Sequence, residues 1–169
     1  IHERTMTEEE SALFLDYVDR PGLEYFLQST GPSYRSPSFL ESVREHEQRV
    51  QDQGGDPSTQ WLSEWAARFL PLDQADRSTL TKAVLISRDP MVVEDAQAAL
   101  GGHFLVAPGS VEWAMGTTAE LAPLGADKGS AIQVVVDHLG LDPQLTVGIG
   151  DSHNDIEMFE VVGTSVAMQ

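Results

Sequence analysis

The sequence predicts an α/β fold, because segments with helical spacing of apolar residues alternate with short apolar segments typical of strands. No repeat or low-complexity segment interrupts this alternation. The 169 residues suffice for one substantial domain or two small ones, and a 41% share of apolar residues is ordinary for a folded protein. Disorder is therefore not expected.

The composition excludes several classes of function. A formal charge of −17 and a pI of about 4.4 repel phosphate backbones and anionic lipid surfaces, so no nucleic-acid and no membrane partner is expected. The absence of cysteine excludes disulfides, thiolate metal sites and a cysteine nucleophile. No apolar run approaches the roughly 20 residues that span a bilayer, and no signal peptide opens the chain, so the cytoplasm is the expected location.

The first half of the chain reads as a helix, a strand and two further helices. Thr7 and Glu10 have the spacing of a capping box, which predicts a helix through about Val18. The segment "GLEYFLQST" is typical of a strand, and "SFLESVREHEQRVQDQ" of an amphipathic helix that ends at Gly54. In the next predicted helix, "TQWLSEWAARFL", an aromatic stripe indicates core packing rather than a ligand site. The stripe consists of Trp61, Trp65 and Phe69.

The second half alternates more regularly between strands and helices. "KAVLIS" predicts a strand, and "DPMVVEDAQAAL" a helix with Asp89 as its cap and Pro90 in its first position. "HFLVA", "VEWAM" and "AELAPL" predict three short strands. "DKGSAIQVVVDHL" predicts a helix that is capped by Asp127 and ends at Gly140. A short buried strand, Thr146 to Gly150, and a last helix with the apolar face of "IEMFEVV" complete the order.

Lys128 breaks a local rule of helix design. It stands in the first turn of its helix, where the macrodipole disfavours a cation by up to about 1 kcal/mol. It is also one of only two lysines in the chain, the other being Lys82. Gly129 beside it costs about 1 kcal/mol relative to alanine, but it permits the close approach of a ligand. We therefore expect a compensating group near Lys128.

A polar cluster follows the predicted strand that ends at Gly150. It consists of Asp151, Ser152, Asn154 and Asp155. An aspartate after a buried strand is costly to desolvate unless it meets a cation or hydrogen-bond donors, and a carboxylate there suits magnesium. Ser152 and Asp155 also have the spacing of a capping box, which would need no function. Asp151 and Asn154 are left unexplained by a cap, so a metal and phosphate site is the favoured interpretation.

These motifs resemble the C-terminal motifs of haloacid dehalogenase-like hydrolases, and most closely those of the Cof-type phosphatases. The G-D-x-x-N-D turn spans Gly150 to Asp155, the K-G pair is Lys128-Gly129, and a strand ending in "VAM" follows. The resemblance covers residues 82 to 169. It implies a Rossmann-like core, partial in this chain, with an inserted α/β cap domain. Residues 1–122 would form the cap and residues 123–169 the C-terminal part of the core.

The resemblance implies magnesium-dependent hydrolysis of a small phosphomonoester, such as a sugar phosphate, through an aspartyl-phosphate. Asp151 would be a catalytic residue and a direct magnesium ligand, and Asp155 a second carboxylate of the metal site. Lys128 would be a catalytic residue that holds the phosphoryl oxygens. Asn154 would donate a hydrogen bond to the phosphate. A metal and a fixed ammonium group are what the charge of a phosphoryl-transfer transition state requires.

One part of the family pattern is missing from these 169 residues. The family's nucleophile lies in a D-x-D-x-T motif, which occurs nowhere in this sequence. The serine or threonine of the family's second motif is likewise missing, and Gln169 stands where a glycine usually follows "VAM". We therefore expect the nucleophile to lie outside this chain and the chain alone to be inactive.

Two alternatives from other classes remain open. The chain could be a non-catalytic binding or regulatory domain that keeps the turn only as a helix cap, although a cap does not explain Lys128. Gly150-Asp151-Ser152 also resembles the nucleophile turn of G-D-S serine esterases. That class needs a separately positioned histidine downstream, and His153 is the only histidine that follows Ser152.

Overall fold

The computed structural model describes residues 4–54, 61–109, 115–151 and 155–168, and the structural statements below concern these residues. Helices and strands alternate along them, as the sequence predicts. The helices are α1 (Glu8–Val18), α2 (Phe39–Asp52), α3 (Trp61–Ala66), α4 (Val92–Leu100), α5 (Lys128–Leu139) and α6 (Ile156–Val161). The strands are β1 (Leu23–Ser29), β2 (Tyr34–Arg35), β3 (Leu70–Pro71), β4 (Leu80–Ser87), β5 (Phe104–Pro108), β6 (Thr117–Pro123), β7 (Val147–Gly150) and β8 (Thr164–Ala167). Short 3-10 helices cover Leu72–Gln74, Arg77–Thr79 and Pro143–Leu145.

Six of the strands form one mixed sheet in the order β3-β2-β1-β4-β6-β5. Its centre is antiparallel: Tyr25 of β1 lies opposite Leu85 of β4, and Leu85 lies opposite Ala119 of β6. β5 also pairs antiparallel with β6, while β2 and β3 pair in parallel. β1 and β4 are nearly continuous apolar runs, because strands at the centre of this sheet are covered on both faces.

Helices α1 and α4 cover one face of this sheet. Phe14 of α1 is fully buried and meets the edge of the Tyr25 ring, with the ring centroids 5.7 Å apart. Leu100 at the end of α4 packs into the same apolar cluster as Leu85. The start of α1 is fixed by the predicted capping box. Glu10 N donates to Thr7 Oγ1 at 3.1 Å, and Thr7 N donates to Glu10 Oε2 at 2.7 Å.

An aromatic cluster covers the opposite face of the sheet. Phe26 of β1 contacts Phe39, Trp65 and Phe69, and the rings of Trp65 and Phe69 are 4.4 Å apart. Core packing is thus confirmed for two members of the predicted aromatic stripe. It is wrong for Trp61, which is 58% exposed, because only Trp65 and Phe69 of the stripe pack on Phe26 and Phe39, while the Trp61 ring contacts Trp65 alone among the described rings.

Two predicted boundaries in the second half need correction. Helix α4 begins at Val92 rather than at Pro90, because the Asp89 carboxylate accepts from Met91 N at 3.0 Å and forms a turn before the helix. β5 pairs directly with β6, while most of the predicted strand "VEWAM" lies outside the described residues. The predicted ends of α5 are confirmed, since Asp127 is its N-cap and Gly140, with a φ of 64°, is its C-cap.

A second, two-stranded parallel sheet consists of β7 and β8, and α5 contacts α6 beside it. The prediction that β7 is buried is wrong for half of its residues. Gly148 and Gly150 are buried against α6 and Asp155, but Val147 and Ile149 are each 62% exposed. Side chains alternate between the two faces of a strand, and no described element covers the second face of β7.

The predicted boundary between cap and core falls at the end of β6. β6 ends at Pro123 and α5 begins at Lys128, so a short connection links the two sheets. The division into residues 1–122 and 123–169 remains a prediction. Among the described residues, none of the helices has the length and apolar character required to cross a membrane.

The aromatic cluster yields a prediction about stability. Phe39→Ala should lower the free energy of unfolding by about 3–5 kcal/mol, because it removes a fully buried ring and leaves a cavity. Trp61→Ala is the matched control, and it should cost less than about 1 kcal/mol because the ring is largely exposed. Urea unfolding followed by circular dichroism measures both. Equal losses for the two variants would contradict the described packing.

Candidate functional site

The buried carboxylate of Asp155 joins two of the predicted site residues. Asp155 is 4% exposed and stands immediately before α6. Its Oδ1 accepts from Lys128 Nζ, and its Oδ2 accepts from the backbone N of Asp151 at 3.0 Å. Lys128 comes from the start of α5, and Asp151 follows β7 directly. The fold therefore brings the Lys128 side chain and the Asp151 backbone together at the Asp155 carboxylate.

The contact with Asp155 explains how a lysine is tolerated in the first turn of α5. The ammonium group stands at the unfavourable end of the α5 dipole, and the Asp155 carboxylate provides the expected compensation. The Lys128 side chain is 49% exposed, whereas the Asp155 side chain is 6% exposed. The ammonium group is thus held by Asp155, while about half of the Lys128 side chain is exposed.

Asp127 fixes the first turn of α5, from which Lys128 projects. Its carboxylate accepts from Ser130 N and from Ser130 Oγ, both at 2.7 Å. Burial raises the pKa of Asp127, but hydrogen bonds from Ser130 and Gly129 outweigh burial and hold the pKa below its ordinary value of 3.8. The carboxylate is therefore ionised, and it caps the helix, throughout the neutral pH range.

Two glycines allow α6 and the turn after β7 to approach their neighbours. A Cβ at Gly129 would lie 2.3 Å from the carbonyl oxygen of Glu157 in α6. A Cβ at Gly150 would lie 2.4 Å from Asp155 Oδ2. The expectation that Gly129 makes room for a ligand needs correction, because the space is taken by the backbone of α6. Both glycines are packing requirements of the site.

The buried carboxylate of the cluster is Asp155 rather than Asp151. Asp151 is exposed, and no described side chain or backbone group donates to its carboxylate. The expectation of a costly, desolvated Asp151 is therefore wrong, because β7 is half-exposed. Asp155 is the buried carboxylate that meets a cation. Within the described part of the chain, no group of three histidine or acidic side chains is arranged to hold a metal ion.

Part of the predicted cluster cannot be placed. Ser152, His153 and Asn154 lie outside the described residues, so neither the predicted phosphate contact of Asn154 nor the capping box of Ser152 is tested. The Asp155 side chain makes no capping hydrogen bond to α6. The carboxylate accepts instead from Lys128 at the start of α5 and from the backbone of Asp151 after β7.

A cavity of 270 Å³ lies between the six-stranded sheet and the start of α5. Lys128 and Asp127 line one side, and β5 and β6 line the other with small or apolar side chains. Lys82 of β4 and Glu120 of β6 also line it, and they form an ion pair with each other. The cavity therefore adjoins the ammonium group of Lys128 and has a charged pair in its opposite wall.

Lys82 and Glu120 line the cavity beside Lys128, although none of the sequence motifs indicates them. A signal was present, since Lys82 is the other lysine of the chain and alternates with Val84 and Ile86 on one strand face. A charged residue on the same strand face as buried apolar residues indicates that the elements covering this face end at that position. The facing strand, which could not be paired from the sequence, supplies Glu120.

The chain was compared with known families. The model of the haloacid dehalogenase-like hydrolases matches residues 1–169. The chain belongs to the haloacid dehalogenase-like hydrolases. The predicted family, a Rossmann-like core with an α/β cap, and the placement among the Cof-type phosphatases are thereby confirmed.

Two curated phosphatases are similar to parts of this chain. Phosphoglycolate phosphatase of Halorubrum lacusprofundi is 31% identical over 129 residues, which is 76% of this chain and 50% of that protein. HMP-PP phosphatase of Citrobacter koseri is 49% identical over 49 residues, which is 29% of this chain and 18% of that protein. The chain thus spans at most half the length of these relatives.

Solved structures of haloacid dehalogenase-like proteins share the fold. A hydrolase from B. subtilis superposes with a TM-score of 0.70 at 19% identity, covering 99% of this chain and 62% of that one. A sugar phosphatase of subclass IIB superposes with a TM-score of 0.66 at 12% identity, covering 99% and 57%. At such identities the likeness shows the fold alone.

The contact between α5 and α6 yields a second prediction. Gly129→Ala should lower the free energy of unfolding by about 1–3 kcal/mol, because its methyl group meets the Glu157 carbonyl oxygen. Elsewhere in a helix the same change would stabilise the chain by up to about 1 kcal/mol. Thermal or urea unfolding measures the difference.

Gly102→Ala is the control for this change. Nothing lies within 4 Å of a Cβ at Gly102 and its φ is not in the left-handed range, so the variant should be neutral or slightly more stable. A stabilising effect of Gly129→Ala would contradict the described packing of α5 on α6.

Proposed function

We propose that this chain is part of a magnesium-dependent phosphatase that hydrolyses a small phosphomonoester, such as a sugar phosphate, through an aspartyl-phosphate. The observation that carries the proposal is the Asp155 carboxylate, which joins the ammonium group of Lys128 to the backbone of Asp151. Lys128 lines the cavity, and the exposed carboxylate of Asp151 belongs to the same cluster through the Asp155 carboxylate. Phosphoryl transfer needs both types of group near the transferred oxygens.

Lys128 would hold the phosphoryl oxygens. Its ammonium group is held by Asp155, the side chain is about half-exposed, and the residue lines the cavity, so a phosphoryl group in the cavity would lie beside a cation. Negative charge spreads over the equatorial oxygens in the transition state, and a pre-positioned cation stabilises that charge without reorganisation. The ion pair with Asp155 would thus orient Lys128 for catalysis.

The residues present fit a magnesium ion only in part. The Asp151 carboxylate is exposed and accepts from no described group, so it would be a direct ligand. The Asp155 carboxylate already accepts on both oxygens and would support the site by fixing Lys128 and the Asp151 backbone. Magnesium prefers an octahedron of oxygens, so other groups must complete the shell. When bound, the ion would neutralise charge on the phosphoryl group.

The nucleophile would come from outside these residues. The D-x-D-x-T motif is missing from the 169 residues, and neither Asp151 nor Asp155 is free to replace it if the first binds the metal and the second pairs with Lys128. The name of one relative, a phosphoglycolate phosphatase, supports a phosphomonoester as the substrate, and the name of another, an HMP-PP phosphatase, supports phosphatase activity more broadly. We propose a small phosphorylated metabolite as the ligand of the site.

The wall formed by Lys82 and Glu120 would contact the part of the substrate that is not phosphate. Both residues line the same cavity as Lys128, but they belong to the large sheet rather than to α5. A charged pair in such a wall can donate to and accept from hydroxyl groups of a substrate. Phosphate binding and substrate choice would then depend on different parts of the fold.

The proposed roles predict the following activities. The purified 169-residue chain should show no turnover of phosphomonoesters with magnesium present, because it lacks the nucleophile. A chain that also carries a D-x-D-x-T segment should be active. In that protein Asp151→Asn should abolish most activity, and Lys128→Ala should lower kcat about 10²–10³-fold through loss of transition-state charge stabilisation. A steady-state assay of phosphate release measures these rates.

Ser152→Ala is the internal control for these variants. As the loss of a cap it should cost about 1 kcal/mol of stability and leave catalysis nearly intact, whereas the serine esterase interpretation requires complete loss. Turnover by the 169-residue chain itself would overturn the assignment of roles, since another aspartate would then be the nucleophile.

The wall of the cavity yields a separate prediction about specificity. In the active protein, Lys82→Gln should raise KM by different factors for different sugar phosphates, up to about tenfold, while kcat stays nearly constant. Lys82→Arg keeps the charge and should retain most of the affinity. A panel of phosphomonoesters measures kcat and KM for each variant. A uniform fall in kcat would show instead that Lys82 serves the chemical step.

A further inference from the structure

A second and larger cavity lies at the other end of the six-stranded sheet. Its volume is 580 Å³, and it is bounded by α2, by the segment that precedes β1 and by the segment that follows β4. Volumes of about 300–1,000 Å³ are typical of small-molecule sites. No residue lines both this cavity and the cavity beside Lys128. The phosphatase site described above therefore does not account for it.

The two cavities are well separated along β4. Lys82 in the wall of the first cavity and Arg88 in the wall of the second are six positions apart. At a rise of about 3.4 Å per residue, this spacing corresponds to roughly 20 Å. A molecule in the second cavity would thus be too far from Lys128 to be the same phosphate.

Arginines are concentrated around the second cavity. Arg20, Arg49 and Arg88 line it, which is three of the eight arginines in a chain whose net charge is −17. None of the three forms an ion pair with a carboxylate among the described residues. Guanidinium groups that lack a carboxylate partner are well suited to bind oxyanions through paired hydrogen bonds.

Carboxylates also line the cavity, and two of them are already engaged by the protein. Glu24 accepts from Ser36 Oγ at 2.6 Å and from Ser42 Oγ at 2.5 Å. Asp89 accepts from Met91 N at 3.0 Å. The remaining carboxylates of the wall are Glu45 and Asp95. Hydrogen bonds from neutral groups leave these charges in place, so the four carboxylates of the lining exceed its three guanidinium groups by one, and an anion would have to be bound locally by a pair of arginines.

His46 of α2 lies close enough to two of the arginines to be affected by their charges. It is 9% exposed, lines the cavity, and its Nε2 is buried with no hydrogen-bond partner among the described residues. Burial lowers the pKa of His46, and the charges of Arg49 and Arg88 lower it further, while Glu47 raises it. Arg49 on α2 and Arg88 after β4 thus act on the same imidazole from two different elements.

We propose that this cavity is a second ligand site, which binds the oxyanion group of a small molecule between the guanidinium groups of Arg49 and Arg88. The site is independent of the phosphatase site, since the two share no residue. The His46 imidazole lies in the wall of the same cavity, beside the proposed position of the bound group. The bound ligand would connect α2 with the segment after β4, because Arg49 and Arg88 come from these two elements.

The imidazole of His46 reports on this site directly. Sulfate, a tetrahedral dianion, and malonate, a planar dicarboxylate, are titrated into the 169-residue chain at constant ionic strength, with sodium chloride as the reference. NMR follows the assigned His46 ring resonances and their pH titration. Binding of either anion should shift the resonances saturably and raise the pKa of His46, because it offsets the neighbouring positive charges.

Arg49→Gln and Arg88→Gln should each weaken the binding by about tenfold or more, as expected for the loss of a charge-assisted hydrogen bond. Both side chains are exposed, so the variants should fold. Arg77→Gln, which removes the same charge outside the cavity, is the matched control and should leave the binding unchanged. Lys128→Ala should also leave it unchanged, which separates this site from the phosphatase site.

The two anions distinguish ligand classes. A response to sulfate alone indicates a phosphate-like group, and a response to malonate alone indicates a carboxylate. The absence of a saturable response to both anions beyond that to chloride overturns the proposal. An equal response in the wild type and in both arginine variants also overturns it.

Discussion

The buried carboxylate of Asp155 is the constraint on which the C-terminal part of the chain depends. An unpaired carboxylate that is 4% exposed would be strongly destabilising, so the fold must bring both a cation and a backbone donor to it. α5 supplies the cation, and the end of β7 supplies the donor. Glycines at the two contact points let the elements approach closely enough. One electrostatic requirement thus fixes the relation of α5, α6 and β7.

The six-stranded sheet links this site to the rest of the molecule. β4 runs through its centre, pairs with β1 and β6, and contributes to both cavities at its two ends. Apolar residues in its middle, such as Leu85, are fully buried between two clusters. The buried centre of β4 therefore separates the two cavities, which are lined by different charged residues.

The sequence predicts most of the element order and the family motifs, because these depend on local periodicity and short-range capping. The start of α1 follows from Thr7 and both ends of α5 follow from Asp127 and Gly140, each of which acts within a few residues. The sequence indicates that Lys128 needs a compensating group nearby. It does not show that this group is Asp155, because the two residues are far apart in the chain.

The sequence-based predictions fail at residues whose exposure or partner depends on long-range packing. The exposure of Trp61 and of Val147 depends on which elements cover them, and apolar spacing does not show where a covering layer ends. The contact of Lys82 with Glu120 depends on strand pairing between β4 and β6. The register of distant strands is set by the whole sheet, so local patterns did not reveal this part of the site.

The exposed face of β7 also affects how the chain opens locally. β7 and β8 pair only with each other among the described strands, and both outer edges of this small sheet lack a described neighbour. Two-stranded sheets are marginal in stability, and Val147 and Ile149 add little because they remain largely in water. The backbone amides of β7 should therefore exchange with deuterium through frequent local opening, whereas those of β1 and β4 should exchange only through unfolding of the large sheet.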